Sequence, residues 1–157
     1  MIRPIPACLP PFVKRFEGFV PKAALDPDGF LTVGFGHKIT GADPDSYRTE
    51  PMSLADADGL LLRDLIIDGA QPLCSVLHPS VLAGLTDNQY AALIDFAYNE
   101  GAGRLLGSTL LRLLNDGQTN QVAAQFDRWV YGEVDGREVI LPGLIERRKA
   151  ETELWLS

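Results

Sequence analysis

The chain has 157 residues, 46% hydrophobic and 22% charged, with a formal net charge of −7. That length holds one domain, or two small lobes sharing a core, and the balance is that of a globular protein. The acidic excess argues against nucleic acid as a partner, because phosphate binding needs a basic face. Arg137, Arg147, Arg148 and Lys149 nevertheless gather late in the chain and leave room for a local positive face.

No window approaches the roughly 18 apolar residues of a membrane span. Met1 to Pro11 is broken by prolines and does not read as a signal peptide. Cys8 and Cys74 have no metal-ligand spacing and no neighbouring base. They read as reduced thiols, with a disulfide formed after export as the alternative.

Pro10 and Pro11 suit the start of a helix, with Phe12, Val13 and Phe16 on one face. Gly18 and Pro21 end it, which leaves Glu17 in the last turn at the negative end of the helix dipole. Residues 24–40, rich in glycine and with alternating Phe30, Thr32, Val33 and Phe35, read as a twisted hairpin. Asp26-Pro27-Asp28-Gly29 is its turn, with Asp28 as a turn former. Residues 41–52 read as loop.

Ser53 with Asp56 opens a long helix with Leu54, Leu61, Leu62, Leu65 and Ile66 as its stripe, ending about Gly69. Thr86 with Gln89 is a capping box opening a helix to about Asn99, which Gly101-Ala102-Gly103 breaks. Ser108 or Thr109 caps a short helix, and Thr119 or Asn120 starts another through Val122, Phe126 and Trp129. Residues 132–141 form an exposed turn or small hairpin. Pro142-Gly143 opens a last helix with Leu144, Ile145, Leu154 and Trp155 as its apolar face. The expected fold class is α+β, mostly α. It is one domain, with a first lobe at about 12–52 carrying the hairpin, a linking helix at about 53–69 and a helical second lobe at about 70–157.

The chemistry-bearing pattern is Glu17, Asp26 and Thr32, spaced E-x8-D-x5-T. Cleaving a glycosidic bond takes one carboxyl to protonate the leaving oxygen and a second to steer or replace the attacking water. Glu17 suits the acid, since the helix end behind it favours keeping its proton. Asp26, in a wet turn, suits the ionised partner.

With these residues go Gly34-Phe35-Gly36-His37, Phe96-Ala97-Tyr98-Asn99-Glu100-Gly101, Ser108-Thr109-Leu110-Leu111, Phe126-Asp127-Arg128-Trp129 and Leu141-Pro142-Gly143-Leu144. Taken in order, they cover about residues 12–155 and resemble the phage-type lysozymes of the T4 superfamily, glycoside hydrolase family 24, in their lambdoid endolysin branch. The resemblance implies a two-lobe lysozyme fold and hydrolysis of the β-1,4 bond between N-acetylmuramic acid and N-acetylglucosamine in bacterial peptidoglycan. It implies Glu17 as general acid, Asp26 and Thr32 holding the water, inversion at the sugar, and host lysis as the outcome. No cofactor or metal is implied.

By family position Tyr98 and Asn99 touch the glycan, and Lys38 and Thr109 are further groove contacts. Core packing is the competing reading for Tyr98, as it is for Trp129. Arg147 or Arg148 could reach Glu17, as a basic residue does in some relatives, while solvated surface charge is the default. His37 reads as a structural histidine held by Asp64 or Asp68. The implied partner is peptidoglycan alone, with no nucleic acid and no stable membrane insertion. The implied enzyme is a monomer in the host cytoplasm, released by a holin to the periplasm and cell wall. The alternatives are lytic-transglycosylase cleavage, which needs neither Asp26 nor Thr32, and a non-catalytic wall-binding module on the same fold.

Overall fold

The computed structural model describes residues 3–26 and 29–157. Pro27 and Asp28, the middle of the expected turn, lie outside the described residues. Helix α1 (Leu9–Glu17) takes Pro10 and Pro11 in its first turn and buries Leu9, Phe12 and Val13. It stops at Gly18, whose φ of 69° few other residues adopt. Three antiparallel strands follow: β1 (Val20–Leu25), β2 (Leu31–Gly34) and β3 (His37–Lys38), in that order across the sheet. The sheet starts earlier than expected, because Pro21 lies within edge strand β1. Its carbonyl accepts from Met52 N at 2.7 Å, and an edge position makes no demand on the missing N–H.

The expected loop contains one helical turn, α2 (Ser46–Thr49). Helix α3 (Leu54–Asp64) is capped by Ser53, whose hydroxyl accepts from Asp56 N at 3.1 Å. The sequence reading stops this helix at Gly69. The structure continues through a π-helical stretch, Leu65–Ala70, into α4 (Gln71–Val76). The widened turns sit directly before Pro72 and relieve the clash a proline ring makes with the preceding turn. Gly69 matters here for another reason. A Cβ at this position would lie 2.7 Å from Ile94 Cγ2, so the linking helix rests almost backbone-on against its neighbour.

Helix α5 (Pro79–Gly84) was not expected. Helix α6 (Asp87–Glu100) begins with the expected capping box, Thr86 and Gln89 exchanging bonds. Every residue from Tyr90 to Ala97 is buried, so α6 is the central rod of the core. Each large apolar side chain it buries contributes about 1.5–3 kcal/mol. Helix α7 (Ala102–Leu106) follows at once on Gly101, and Ser108 caps α8 (Thr109–Asn115). The helix expected through Trp129 is only a 3-10 turn (Thr119–Gln121) and α9 (Ala123–Phe126). Trp129 lies beyond it, edge-on to Phe96 at 5.2 Å, as a packing aromatic.

Strands β4 (Tyr131–Val134) and β5 (Arg137–Ile140) make the small hairpin, turning on Asp135-Gly136 with φ of 51° and 73°. Helix α10 (Pro142–Leu156) differs most from its sequence reading. Ile145 is exposed, and the buried stripe is Arg147, Arg148, Glu151 and Trp155. The arginines are therefore interior, not solvated, and supply no positive face. Cys8 and Cys74 are free thiols, beside Asn88 and the Tyr90 hydroxyl respectively. No helix among the described residues is long and apolar enough to cross a membrane.

Candidate active site

The three residues of the E-x8-D-x5-T pattern are placed by one helix end and one small sheet. Glu17 is the last residue of α1, with a side chain 21% exposed. Its Oε1 accepts from Arg147 Nη1 at 2.7 Å. Its other oxygen, Oε2, lies against the turn between β2 and β3. A Cβ built on Gly36, where φ is 83°, would stand 2.7 Å from Oε2. Only glycine fits that conformation and that approach together.

Asp26 follows β1 and is half-buried. Its Oδ1 accepts from Phe30 N at 2.8 Å while its own N–H donates to Phe30 O at 2.8 Å, which leaves Oδ2 without a partner among the described residues. Thr32 lies in β2 between Ala24 and Lys38, and directly opposed residues share a sheet face. It is nearly buried, and its hydroxyl donates to Ala24 O at 3.3 Å. That spends the hydroxyl proton and leaves the oxygen lone pairs as acceptors. Glu17 meets the Gly36 end of β2 and Asp26 the Leu31 end. Strand β2, about 10 Å from end to end at about 3.3 Å per residue, lies between the Phe30 position that Asp26 bonds and the Gly36 turn that Glu17 approaches.

Arg147 is held more firmly by Asp95. Its Nε donates to Asp95 Oδ2 at 2.9 Å and its Nη2 to Oδ1 at 2.7 Å, a two-pronged grip buried in the core. Burial opposes the charge on Arg147, but Asp95 and then Glu17 outweigh it and raise its pKa further. Burial likewise opposes ionisation of Asp95, and the Arg147 charge outweighs that, so its pKa is lowered. The fully buried Arg148 donates to Glu100 Oε1, Asn99 Oδ1 and Glu151 Oε1, each at 2.7 Å. Arg104 closes the chain on Glu100 Oε2 at 2.7 Å.

Residues 14–151 match the phage lysozyme family model. This chain belongs to the phage lysozyme family. It is a glycoside hydrolase of the lysozyme type, with the endolysin and muramidase relatives that such a family holds. It is 34% identical over 145 residues to the endolysin of Acyrthosiphon pisum secondary endosymbiont phage 1, covering 92% of each. It is 32% identical to the endolysin of Bacillus phage PZA, matching over 92% of its own length and spanning about half, 52%, of that relative. Among solved structures it resembles the muramidase domain of SpmX from Asticaccaulis excentricus. The TM-score is 0.82 at 31% identity, with 99% of both chains covered.

The remaining residues expected at the lysozyme site are placed less uniformly. The Tyr98 hydroxyl donates to Phe35 O at 3.2 Å, tying α6 to the hairpin turn. Burial first, then the nearby Glu17 charge, pushes its pKa up, so the phenol stays protonated. Asn99 has its oxygen taken by Arg148, which turns its amide nitrogen into the free end. Lys38 shares the Thr32 face and lays Nζ 3.9 Å from the centre of the exposed Phe30 ring. Thr109 is exposed at the start of α8, beside a depression of about 430 Å³ lined by Leu106, Ser108 and Arg112. No described hydrogen bond or ion pair joins that depression to the Glu17 group. A second depression of about 540 Å³, by Tyr47, Met52 and Arg63, contains none of the three pattern residues either.

His37 has the structural role expected of it, with Asp64 rather than Asp68 as partner. Its Nδ1 lies 2.7 Å from Asp64 Oδ2, and its Nε2 lies 3.3 Å from Asp43 Oδ2, off the hydrogen-bonding line but within charge attraction. Sequence reasoning missed Asp43, Asp95 and Glu151, whereas Gly36, with Gly34, reads from the sequence as a glycine that lets the hairpin backbone come close or twist sharply. A polar residue amid the apolar run of α6 was the one available signal for Asp95.

Proposed function

We propose that the chain hydrolyses the β-1,4 bond between N-acetylmuramic acid and N-acetylglucosamine in bacterial peptidoglycan, with inversion at the anomeric carbon. Glu17 is the general acid. Its Oε1 is engaged by Arg147, so the proton to be delivered sits on Oε2, at the Gly36 turn. The leaving sugar oxygen takes that proton as its bond to the anomeric carbon breaks. The attacking water gives one hydrogen bond to Thr32 Oγ1 and one to Asp26 Oδ2, which keeps an oxygen lone pair for the carbon. As the new bond forms, the water's proton passes to Asp26.

The observation that carries this reading is the polarity left over at Asp26 and Thr32. The backbone has used one carboxylate oxygen and the hydroxyl proton, and what remains are two acceptors on the paired strand ends of one hairpin, suited to a single water. A transglycosylase closing a 1,6-anhydro ring needs no such water site. Asn99, through its free amide nitrogen, and Lys38 are the proposed sugar contacts. Tyr98 offers its ring alone, and Thr109 is an outer contact. The region of about 12–52 works as one lobe and about 70–157 as the other, joined by the long helix. The enzyme acts as a monomer, without cofactor, on the cell wall after holin-dependent passage from the host cytoplasm, and its biological outcome is lysis.

The test is clearing of permeabilised Gram-negative cells by the wild type and Glu17→Gln, with mass analysis of the released muropeptides. The expected result is a wild type that releases reducing-end fragments and a folded variant slower by 10²-fold or more. Anhydro ends would make the enzyme a transglycosylase. Binding without clearing would make it a wall-binding module. A Glu17→Gln protein that clears like wild type would remove the acid role from this residue.

A further inference from the structure

Arg147 stands between two carboxylates on different edges of its guanidinium, and the more distant one from solvent has the stronger grip. Asp95 takes Nε and Nη2 with both oxygens, while Glu17 takes Nη1 alone. A lone arginine at 2.7 Å from a general acid would favour the ionised form and work against proton delivery. Here the same cation is already neutralised from behind by a fully buried anion. We propose that Asp95 is a positioning residue of the reaction: it clamps the Arg147 guanidinium and offsets its charge, so that Glu17 is oriented by the arginine without being stripped of its proton. This inference rests on Glu17 being the general acid.

A second observation supports the clamp. Glu151 is fully buried, and its Oε2 has no donor of its own. Burial first, and the Asp95 charge next, push its pKa well above the usual carboxylate range. A neutral Glu151 adds no second negative charge beside Asp95 and leaves Asp95 as the anion facing Arg147. The other ionisable groups on the cluster are accounted for. Arg148 on α10 is taken by Glu100, Asn99 and Glu151, Arg104 on α7 by Glu100, and Tyr98 on α6 is neutral. Glu17 from α1 is then the one carboxylate of the cluster whose partner is shared with a stronger rival. The Phe16 ring, 5.4 Å from the Arg147 carbon, closes the apolar side.

The experiment is the pH dependence of kcat/KM on soluble peptidoglycan fragments. With Asp95→Asn the Arg147 charge falls undivided on Glu17. The alkaline limb, where the acid loses its proton, is expected to move down by about one pH unit. A purely structural role would lower the melting temperature and leave the limb in place, and that result overturns the proposal.

If the single variant does not fold, Asp95→Asn with Arg147→Gln puts two neutral amides in the same space. The cation and the anion that offsets it then leave together, so the limb must stay within a few tenths of a pH unit of wild type, and a limb displaced upward by about one unit or more overturns the proposal. Glu151→Gln is expected to leave the limb unchanged, since it replaces one neutral side chain by another. A shift there would mean that Glu151 carries charge and would overturn the clamp as described. Glu17→Gln separates the two claims. If it retains full activity, the acid assignment fails. If it is inactive while Asp95→Asn keeps the wild-type profile, only the clamp fails.

Discussion

His37 and Arg147 are both basic side chains held between two carboxylates, yet the two arrangements work differently. His37 sits between Asp64 and Asp43, whose side chains are 6% and 8% exposed. Arg147 sits between Asp95, with no exposure, and Glu17, with 21%. The first arrangement closes on itself and fastens the hairpin to α3. The second leaves one partner at the surface, so the same physics presents a carboxylate to solvent. A buried ion pair alone is weak evidence of function, because its desolvation cost can match its attraction. What marks the second one out is its asymmetry: one end is sealed and the other reachable.

The comparison can be broken most forcefully at Arg148. Arg148→Met removes a buried cation and strands Glu100, Glu151 and the Asn99 oxygen. The expected cost is about 3–5 kcal/mol of stability, read by urea unfolding. A loss below about 1 kcal/mol would mean that the interior charges of α10 are not coupled as described.

At the closed cluster, His37→Ala should cost about 1–3 kcal/mol while activity per folded molecule is kept. Its pH dependence sharpens the point. Burial works to lower the His37 pKa, but the Asp64 bond and the charges of Asp64 and Asp43 outweigh it and raise the value above 6.5. Burial works to raise that of Asp43, and Thr40 and His37 outweigh it, bringing it from 3.8 down to about 2. The histidine's contribution is therefore complete below pH 6.5 and fades as pH rises through its folded value. That of Asp43 is present above 3.8 and is lost as pH falls through about 2. The gap in melting temperature between wild type and His37→Ala should be widest from about pH 4 to 6.5 and narrower near pH ~9. A gap that grows with pH would contradict this.

The smallest effects come from a pair of glycines. Gly18 and Gly36 both have positive φ, 69° and 83°, but a Cβ at Gly18 meets nothing within 4 Å whereas one at Gly36 meets the Glu17 carboxylate. Alanine at either should cost about 1–2 kcal/mol through backbone strain. Only Gly36→Ala should also slow turnover, by about tenfold, because it displaces the acid. Equal activity in the two variants would sever the hairpin turn from the chemistry.

The parts of this molecule legible in its sequence are those written locally. Glu17, Asp26 and Thr32 lie within one short stretch, and the caps at Ser53, Thr86 and Ser108 declare themselves within three residues. The clamp was legible only in part: the resemblance offered Arg147 or Arg148 as a contact of Glu17, beside the default of solvated charge, while Asp95 was not foreseen. Arg147 meets Asp95 and Glu17 across 52 and 130 residues, and charged residues on a helix read by default as its wet face. The continuation of the long helix was hidden by Pro72, which signals a stop unless the turn before it widens. His37 was half-legible: Asp64 sits on a helix face that could be counted, whereas Asp43 sits in a loop whose path has no period.

The 130-residue span between Glu17 and Arg147 has a consequence for when the site forms. A ribosome that has emitted the glutamate, the aspartate and the threonine has made all three pattern residues but not the arginine that orients the first of them. A message cut short, or a protease nick that frees α10, yields a protein with the motif intact and its acid unmoored. On the proposed acid role of Glu17, translation must pass residue 147 before the site is complete.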